Sequence, residues 1–343
     1  MRAGKSTMGS SELRIGIAGC GTAARIHLDR LLTLEGVAIV GCADTDLAAA
    51  KALVDRATQG PLARGEETVP AFGDHRELIR ALAPDALAIF TPHLSHYRLT
   101  MDALQAGCHV FIEKPLSTNV QEAADIVTLA RGRDLKVGVG HQYRLCPSLI
   151  EARQRIASGA IGPVRLVSCI LARPWLTTLG PQEREWRASG QFAPGGILSD
   201  AGDHLIDALL WTTGQFAREV GAIQSHGDSG IDLVTAAAIR LADGAPATLA
   251  ISGTSPGNVF VLDYFGERGR LRATDQTLEQ ELFDSLRQDV VLPPANQTID
   301  GNFVAALTKE TPLCCSADQA LDTVRLLEAI GRSAATGHVV RLI

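Results

Sequence analysis

The stretch LRIGIAGCGTAA at residues 13–24 decides the fold class of this chain. Its first half is apolar and reads as a strand, and its second half has the pattern GxGxxA at the start of a helical periodicity. The first glycine permits a tight turn, the second lets the backbone approach a pyrophosphate, and the alanine lets helix and strand pack closely. The helix N-terminus then offers free N–H groups to the phosphates. The residues predicted to hold a dinucleotide here are Gly19, Gly21, Thr22, Ala23 and Ala24.

Apolar strands and helical periodicities continue to alternate beyond this turn. Such alternation implies right-handed crossovers and a doubly wound parallel sheet with helices on both faces, the Rossmann arrangement. We predict this domain over residues 13–141, after a tail at 1–12. The predicted strands are 13–18, 37–43, 86–90, 109–112 and 136–139, and the predicted helices are 22–34, 46–57, 97–106 and 120–131.

Asp44 ends the second predicted strand, near the spacing of about 20 residues expected for the acid that binds ribose. A carboxylate there accepts hydrogen bonds from the ribose hydroxyls and repels a 2′-phosphate. Thr45 follows, with no arginine to neutralise that phosphate. We therefore predict NAD as the cofactor, with NADP less favoured. The alternative is that Asp44 caps the next helix, although Asp46 is better placed for a cap.

Composition excludes several classes of protein. The 343 residues contain 32 Lys+Arg and 38 Asp+Glu, a net charge of −6, and 46% are hydrophobic. This length suggests about two domains. The absence of a basic run argues against nucleic acid and anionic membrane surfaces. We also expect no secretory signal and no membrane span, because no window reaches the roughly 18 to 20 apolar residues that a span needs.

The chain has seven cysteines, an odd number, without CxxC or metal-ligand spacing. No metal site is therefore predicted. Most of the cysteines lie in or beside apolar runs, and a reducing, cytoplasmic location fits them best. The adjacent Cys314 and Cys315 leave a redox-active pair open as an alternative.

Residues 142–343 have a different character and are predicted to form a second, α+β domain. A helix is expected at 147–158, and alternating patterns joined by turn residues predict antiparallel strands. The predicted strands are 164–171, 234–241, 247–252 and 259–265.

Three motifs give the chain a resemblance to a known family. The runs are GCHVFIEKPL at 107–116, TPxxxH at 91–96 and GGILSDAGDH at 195–204. Together with GxGxxA, they resemble the signature of the Gfo/Idh/MocA oxidoreductase family over nearly the whole chain. The resemblance implies a second domain with a large, mostly antiparallel sheet. It also adds cofactor-binding residues, namely Thr91, Pro92, His96, Glu113 and Lys114.

The resemblance implies a catalytic group as well. His204 would take the proton of a secondary hydroxyl, Lys114 would polarise the same oxygen, and the carbon-bound hydrogen would leave as hydride. Asp200 would orient His204 and the substrate, and its spacing of four residues from His204 would place both on one face of a helix. The Lys114–Pro115 bond, often cis in the family, is expected to be cis here.

Asp203 precedes His204 directly, at a position that the family leaves variable. On a helix it points about 100° away from its neighbour, so we expect it to face solvent. If the helix begins later, Asp203 competes with Asp200 as the partner of His204.

Substrate contacts are expected from the crossover and from the second domain. Arginine and tryptophan supply the bidentate donors and the apolar platform that hydroxyl-rich ligands need. The expected residues are Tyr143, Arg144, Arg173, Trp175, Trp186 and Arg187.

The resemblance favours an NAD-dependent dehydrogenase acting on a sugar, inositol or related polyol. It also implies a homodimer or homotetramer that pairs through the bare face of the second sheet. One alternative is an NAD-dependent glycoside hydrolase or lyase that oxidises its substrate only transiently. Another is a regulatory protein that binds the cofactor without catalysis.

Overall fold

The protein was analysed as a computed structural model, which describes residues 12–60, 69–178, 196–228 and 230–342. Its first sheet has six parallel strands, in the spatial order 3-2-1-4-5-6 of a Rossmann fold. In chain order the strands are β1 (Leu13–Ala18), β2 (Val37–Ala43), β3 (Ala71–Phe72), β4 (Ala86–Ile89), β5 (His109–Ile112) and β6 (Val137–Val139). The predicted doubly wound sheet is confirmed.

Helices connect these strands. They are α1 (Thr22–Leu32), α2 (Leu47–Gln59), α3 (His75–Leu82), α4 (His96–Ala106) and α5 (Val120–Gly132). The Asp46 side chain accepts a hydrogen bond from the Ala48 backbone N–H and caps α2. This leaves Asp44 free for another role. The sequence analysis did not predict α3.

The second sheet has nine strands. They are β7 (Val164–Ala172), β8 (Ala217–His226), β9 (Asp232–Leu241), β10 (Pro246–Ser252), β11 (Val259–Gly266), β12 (Gly269–Thr274), β13 (Leu278–Leu282), β14 (Gln288–Asp289) and β15 (Val340–Arg341). Their spatial order is 14-13-12-11-7-10-9-8-15. Of these neighbours only β7 and β10 pair in parallel, so the mostly antiparallel sheet is confirmed. The sequence analysis missed β8.

Helices cover one face of the second sheet. The remaining helices are α6 (Pro147–Ala157), α7 (Trp175–Thr178), α8 (Asp203–Thr213), α9 (Ile299–Thr308) and α10 (Ala317–Thr336). α8 lies in the core of this layer and is buried from Asp203 to Leu210 without interruption. The opposite face of the sheet exposes Leu166, Ile170, Ile223, Val234 and Val259.

The C-terminal helices join the two sheets. α9 places Phe303 and Val304 in the core beneath α1. α10 spans both cores, with Leu321 in that of the first sheet and Leu326 in that of the second. The carboxyl end of the parallel sheet therefore lies against the start of α8. None of the helices in the described ranges is long and apolar enough to cross a membrane.

Candidate active site

The carboxyl ends of β1, β2 and β4 open into a cleft of about 950 Å³. Open α/β sheets bind their ligands at this edge, where the strand order reverses. The predicted cofactor residues that line it are Gly19, Gly21, Thr22, Ala23, Asp44, Thr91 and Pro92.

The glycine turn fits a pyrophosphate. Gly19 has a φ of +87°, and a Cβ there would lie 2.7 Å from the Phe90 backbone, so a side chain is excluded by the protein itself. A Cβ on Gly21 would meet nothing within 4 Å, which leaves space above the turn for a ligand. α1 begins there without a side-chain cap or an acidic residue, so its first N–H groups are open to an anion. Ala24 is fully buried beneath the turn.

Asp44 is fixed at the rim of this cleft. Its Oδ2 accepts a hydrogen bond of 2.7 Å from the Cys20 backbone N–H, and its Oδ1 accepts one of 2.9 Å from the Asp46 backbone N–H. The carboxylate is half-buried at the end of β2, the position at which a ribose-binding acid is expected.

His96 acts on the cleft indirectly. It is fully buried, with Nδ1 2.7 Å from the Pro115 carbonyl oxygen and Nε2 2.8 Å from the Thr91 carbonyl oxygen. It therefore ties the turn after β4 to the turn after β5. Thr91 and Pro92 reach the cleft, whereas both ring nitrogens of His96 are used within the protein.

Glu113 belongs to a buried charge cluster that the sequence analysis missed. Its Oε1 lies 3.0 Å from Nε2 of His27, and Asp300 Oδ1 lies 2.7 Å from Nδ1 of the same ring. Burial lowers the pKa of His27, but the hydrogen bonds to these two carboxylates outweigh it and raise that pKa to about 9. The Lys114 backbone N–H donates to the other oxygen of Glu113 at 3.2 Å. Glu113 thus anchors the turn that carries Lys114.

Lys114 meets Asp200 at the centre of the site. The Lys114–Pro115 bond is cis, as expected. Lys114 Nζ donates to Asp200 Oδ1 and to the Asp200 carbonyl, each at 2.7 Å, and Trp175 Nε1 donates to Asp200 Oδ2 at 2.7 Å. All three side chains are buried. An ammonium is therefore held in place by a carboxylate that is itself fixed.

The predicted orientation of His204 by Asp200 is wrong for this structure. Asp200 lies in the π-helical turn Leu198–Gly202, where the i to i+5 repeat breaks the α-helical spacing on which the prediction rested. Its carboxylate oxygens bond to Lys114 and Trp175 instead. Within the described ranges, Nδ1 of His204 is buried without a hydrogen-bond partner. Burial, and then the charge of Lys114, hold the pKa of His204 well below its ordinary value, so the ring is neutral.

Asp203 was expected to face solvent, and this prediction is wrong. It is 0% exposed, because α8 is buried on every side at its start and packs within the core of the second sheet. Its Oδ1 lies 3.4 Å from Nδ1 of His141, another buried residue. Burial raises the pKa of Asp203 to about 6.

Tyr143 and Arg173, two of the predicted substrate residues, lie beside His204. The ring of Tyr143 lies 4.9 Å from that of His204 and stacks on Phe260 at 4.5 Å. Burial raises the pKa of the Tyr143 hydroxyl, and the adjacent charge of Arg173 opposes this shift. Trp175 is only 2% exposed, so it supports Asp200 and has no open face for a ligand. Trp186 and Arg187 lie outside the described residues.

The prediction that Arg144 contacts substrate is also wrong. Its guanidinium is buried and donates to both carboxylate oxygens of Asp207. It also donates to the Cys314 carbonyl at 3.1 Å and to Gln319 Oε1 at 2.7 Å. The short helical turn at Gln142–Leu145 directs this side chain into the core. Arg144 therefore ties α8 to the start of α10.

Comparison with protein families agrees with this arrangement of two sheets. A profile described as "Oxidoreductase family, NAD-binding Rossmann fold" matches residues 13–141. A second, described as "GFO/IDH/MocA C-terminal domain", matches residues 149–272. The chain belongs to the Gfo/Idh/MocA oxidoreductase family.

Curated Gfo/Idh/MocA-like relatives include sugar and inositol dehydrogenases. D-glucoside 3-dehydrogenase of Escherichia coli (strain K12) is 27% identical over 211 residues, which are 61% of this chain and 56% of the relative. Inositol 2-dehydrogenase 1 of Saccharopolyspora erythraea is 29% identical over 203 residues, 58% of this chain and 54% of the relative. The matches thus span about half the length of these relatives.

A solved structure shares the two-sheet Gfo/Idh/MocA fold along almost the full chain. The aldose-aldose oxidoreductase of Caulobacter crescentus, complexed with glycerol, superposes with a TM-score of 0.82. The superposition covers 96% of this chain and 100% of that one, at 22% sequence identity. At this identity the likeness shows the fold alone.

Proposed function

We propose that this oxidoreductase is an NAD-dependent dehydrogenase that oxidises a secondary hydroxyl of a sugar, inositol or related polyol. The observation that carries the proposal is the Lys114–Asp200 ion pair of 2.7 Å, whose ammonium is close enough to lower the pKa of His204. Lys114 follows β5, the strand next to β4, and the carboxyl end of β4 opens into the cleft. The names of the two dehydrogenase relatives support the substrate class.

His204, Lys114 and Asp200 have separate roles in proton transfer and charge stabilisation. His204, neutral because it is buried, accepts the hydroxyl proton at Nε2, since its Nδ1 points into the protein. The ammonium of Lys114 stabilises the negative charge that develops on the hydroxyl oxygen. Asp200 holds that ammonium in position. When bound, NAD supplies the acceptor for the hydride that leaves the same carbon.

Substrate orientation is assigned to Tyr143 and Arg173. Both border His204, and they offer a phenol and a guanidinium to neighbouring hydroxyls. In this proposal residues 13–141 bind NAD, and residues 142–343 supply the substrate contacts, Asp200 and His204. The helices α9 and α10 also complete the core of the first sheet.

Incubation with NAD and a panel of sugars and inositols tests the proposal. We expect one substrate class to give NADH in stoichiometric amounts, read at its absorbance band, with the corresponding ketone as product. A control without polyol corrects for background. Consumption of a glycoside without accumulation of NADH would contradict a dehydrogenase and favour the transient-oxidation chemistry of a hydrolase or lyase.

Replacing Asp44 is expected to relax the choice of cofactor. Asp44→Ser removes the carboxylate that repels a 2′-phosphate and keeps a small hydrogen-bonding side chain. We expect the ratio of kcat/KM for NAD over NADP to fall by about tenfold or more. Asp46→Ser, which retains a capping side chain on α2, is the matched control and should leave the ratio unchanged. Equal efficiency of the wild type with both cofactors would contradict this role of Asp44.

The exposed apolar face of the second sheet supports a homodimer or homotetramer. Leu166, Ile170 and Ile223 lie together on this face, and apolar patches of this kind mark interaction surfaces. We infer a second copy of the chain as the partner. The seven cysteines are free thiols, which supports a reducing, cytoplasmic compartment.

A further inference from the structure

Behind His204 lies a buried polar cluster that the proposed reaction does not yet use. It consists of His141 after β6 and Asp203 at the start of α8, together with the inner side of the His204 ring. One nitrogen of each histidine and one carboxylate oxygen of Asp203 lie within 4.8 Å of one another. His141 is 1% exposed and Asp203 is 0% exposed, so solvent does not satisfy them.

The donors and acceptors of this cluster complement each other. Among the residues that the structure describes, Nδ1 of His141, Nδ1 of His204 and both carboxylate oxygens of Asp203 are buried without a hydrogen-bond partner. Leaving such atoms unsatisfied destabilises the folded state, and native proteins rarely leave several together. Two imidazole N–H groups and two carboxylate oxygens make a matched set. Nδ1 of His141 lies 3.4 Å from Asp203 Oδ1 and also 3.4 Å from Asp207 Oδ2, so it borders both carboxylates.

We propose, on the basis of the dehydrogenase function above, that Asp203 is the positioning residue of His204. Its carboxylate accepts one hydrogen bond from Nδ1 of His204 and one from Nδ1 of His141. It thereby fixes the His204 ring with Nε2 toward the substrate and stabilises the imidazolium that forms. In this step the hydroxyl proton moves to Nε2, the Nδ1 proton stays on its nitrogen, and no group in the cluster is oxidised or reduced.

Asp203 suits this role better than Asp200 does. The oxygens of Asp200 are bonded to Lys114 and Trp175, whereas those of Asp203 have no hydrogen-bond partner among the described residues. A divalent metal ion is the other occupant that this set of atoms could bind. The metal content of the purified protein distinguishes that occupant from the hydrogen-bonded arrangement.

Other charged or titratable groups act on Asp203 from the elements packed around it. They raise or lower its proton affinity and belong in any account of its pH dependence. Besides His204, they are His141, Lys114, Asp200, Asp207 and Cys315.

Kinetics of Asp203→Asn test the positioning role. We expect kcat to fall by on the order of 100-fold with little change in KM, because the imidazolium loses its counter-charge. We also expect the acid limb of the kcat–pH profile to move to lower pH, since His204 then protonates less readily. A merely structural role would leave that limb in place. Asp263→Asn is the matched control, because Asp263 is also a buried acid and its partners are Arg270 and Arg272, outside the cluster; it should leave the acid limb in place.

Imidazole NMR of protein labelled with ¹⁵N-histidine tests the pair without relying on activity. In the wild type, neutral His204 should carry its proton on Nδ1, and Asp203→Leu should shift the tautomer toward Nε2. If Asp203→Leu does not fold, the tautomer of His204 in the wild type still tests the proposal. A wild-type His204 with its proton on Nε2 would overturn the proposal. So would one equivalent of divalent metal in the purified protein that Asp203→Asn loses. Failure of every polyol to reduce NAD would instead count against the proposed function.

Discussion

Replacing Lys114 by methionine should lower kcat by on the order of 100-fold or more while the affinity for NAD changes little. The variant keeps most of the side-chain volume but removes the ammonium that stabilises the developing alkoxide. It also removes the charged partner of Asp200 Oδ1, while the hydrogen bond from Trp175 to Oδ2 remains. Both effects act on the transition state, so kcat should fall rather than NAD binding.

Single-turnover kinetics and NAD titration separate these two quantities. Lys309→Met is the matched control, because Lys309 is an exposed residue at the end of α9 and should retain wild-type kcat. The thermal unfolding temperature of each variant shows whether the fold is intact. A folded Lys114→Met enzyme with kcat within about threefold of wild type would exclude Lys114 from the reaction.

Replacing His27 by leucine should destabilise the fold by about 3–5 kcal/mol, the usual effect of breaking a buried ion pair by removing one partner. His27 lies on α1 between two carboxylates, 3.0 Å from Glu113 and 2.7 Å from Asp300. Leucine fills the space but leaves Glu113 buried without its counter-charge. Among the residues that the structure describes, Asp300 keeps an ion pair with the more distant Arg30, at 3.6 Å. Urea unfolding gives the difference in the free energy of unfolding, with the exposed His338→Gln as control.

The same cluster of His27, Glu113 and Asp300 makes the stability of the wild type depend on pH. The pKa of His27 is raised to about 9 in the folded state, so its contribution is full below its ordinary value of 6.5 and is lost as pH rises through 9. The lowered pKa of Glu113 gives a contribution that is present above 4.5 and is lost as pH falls through the lowered value. Stability from this cluster is therefore greatest between about pH 4.5 and 6.5. A His27→Leu variant with wild-type stability throughout that window would show that the cluster contributes nothing.

The sequence was sufficient to predict five of the six strands of the parallel sheet, because their signals are local, but it did not predict the two-residue strand β3. The glycine turn at Gly19 and Gly21, the cap at Asp46 and the runs of apolar residues each act within a few neighbours. The helix α3 and the strand β8 were not predicted from these local signals. β8 alternates poorly because it lies near the edge of its sheet, with half-buried residues at several inward positions.

The sequence predicted which residues belong to the site better than it predicted the contacts between them. Lys114, Asp200 and His204 do converge, but which atoms bond depends on partners distant in the chain. Trp175 and the π-helical turn decide how Asp200 is used. The buried position of Asp203 depends on the packing of α8 within the core of the second sheet. His27 lies on the apolar face of its helix. Its charge can be inferred only from its contact with Asp300 of α9, which is distant in the chain.

A structure of the protein with NAD and a polyol that it oxidises tests the central claim most directly. The account predicts one substrate hydroxyl within hydrogen-bond distance of both His204 Nε2 and Lys114 Nζ. The hydrogen on the same carbon should point toward the nicotinamide, which lies in the cleft beyond Thr91 and Pro92. A productive complex in which every substrate hydroxyl lies away from both side chains would contradict it.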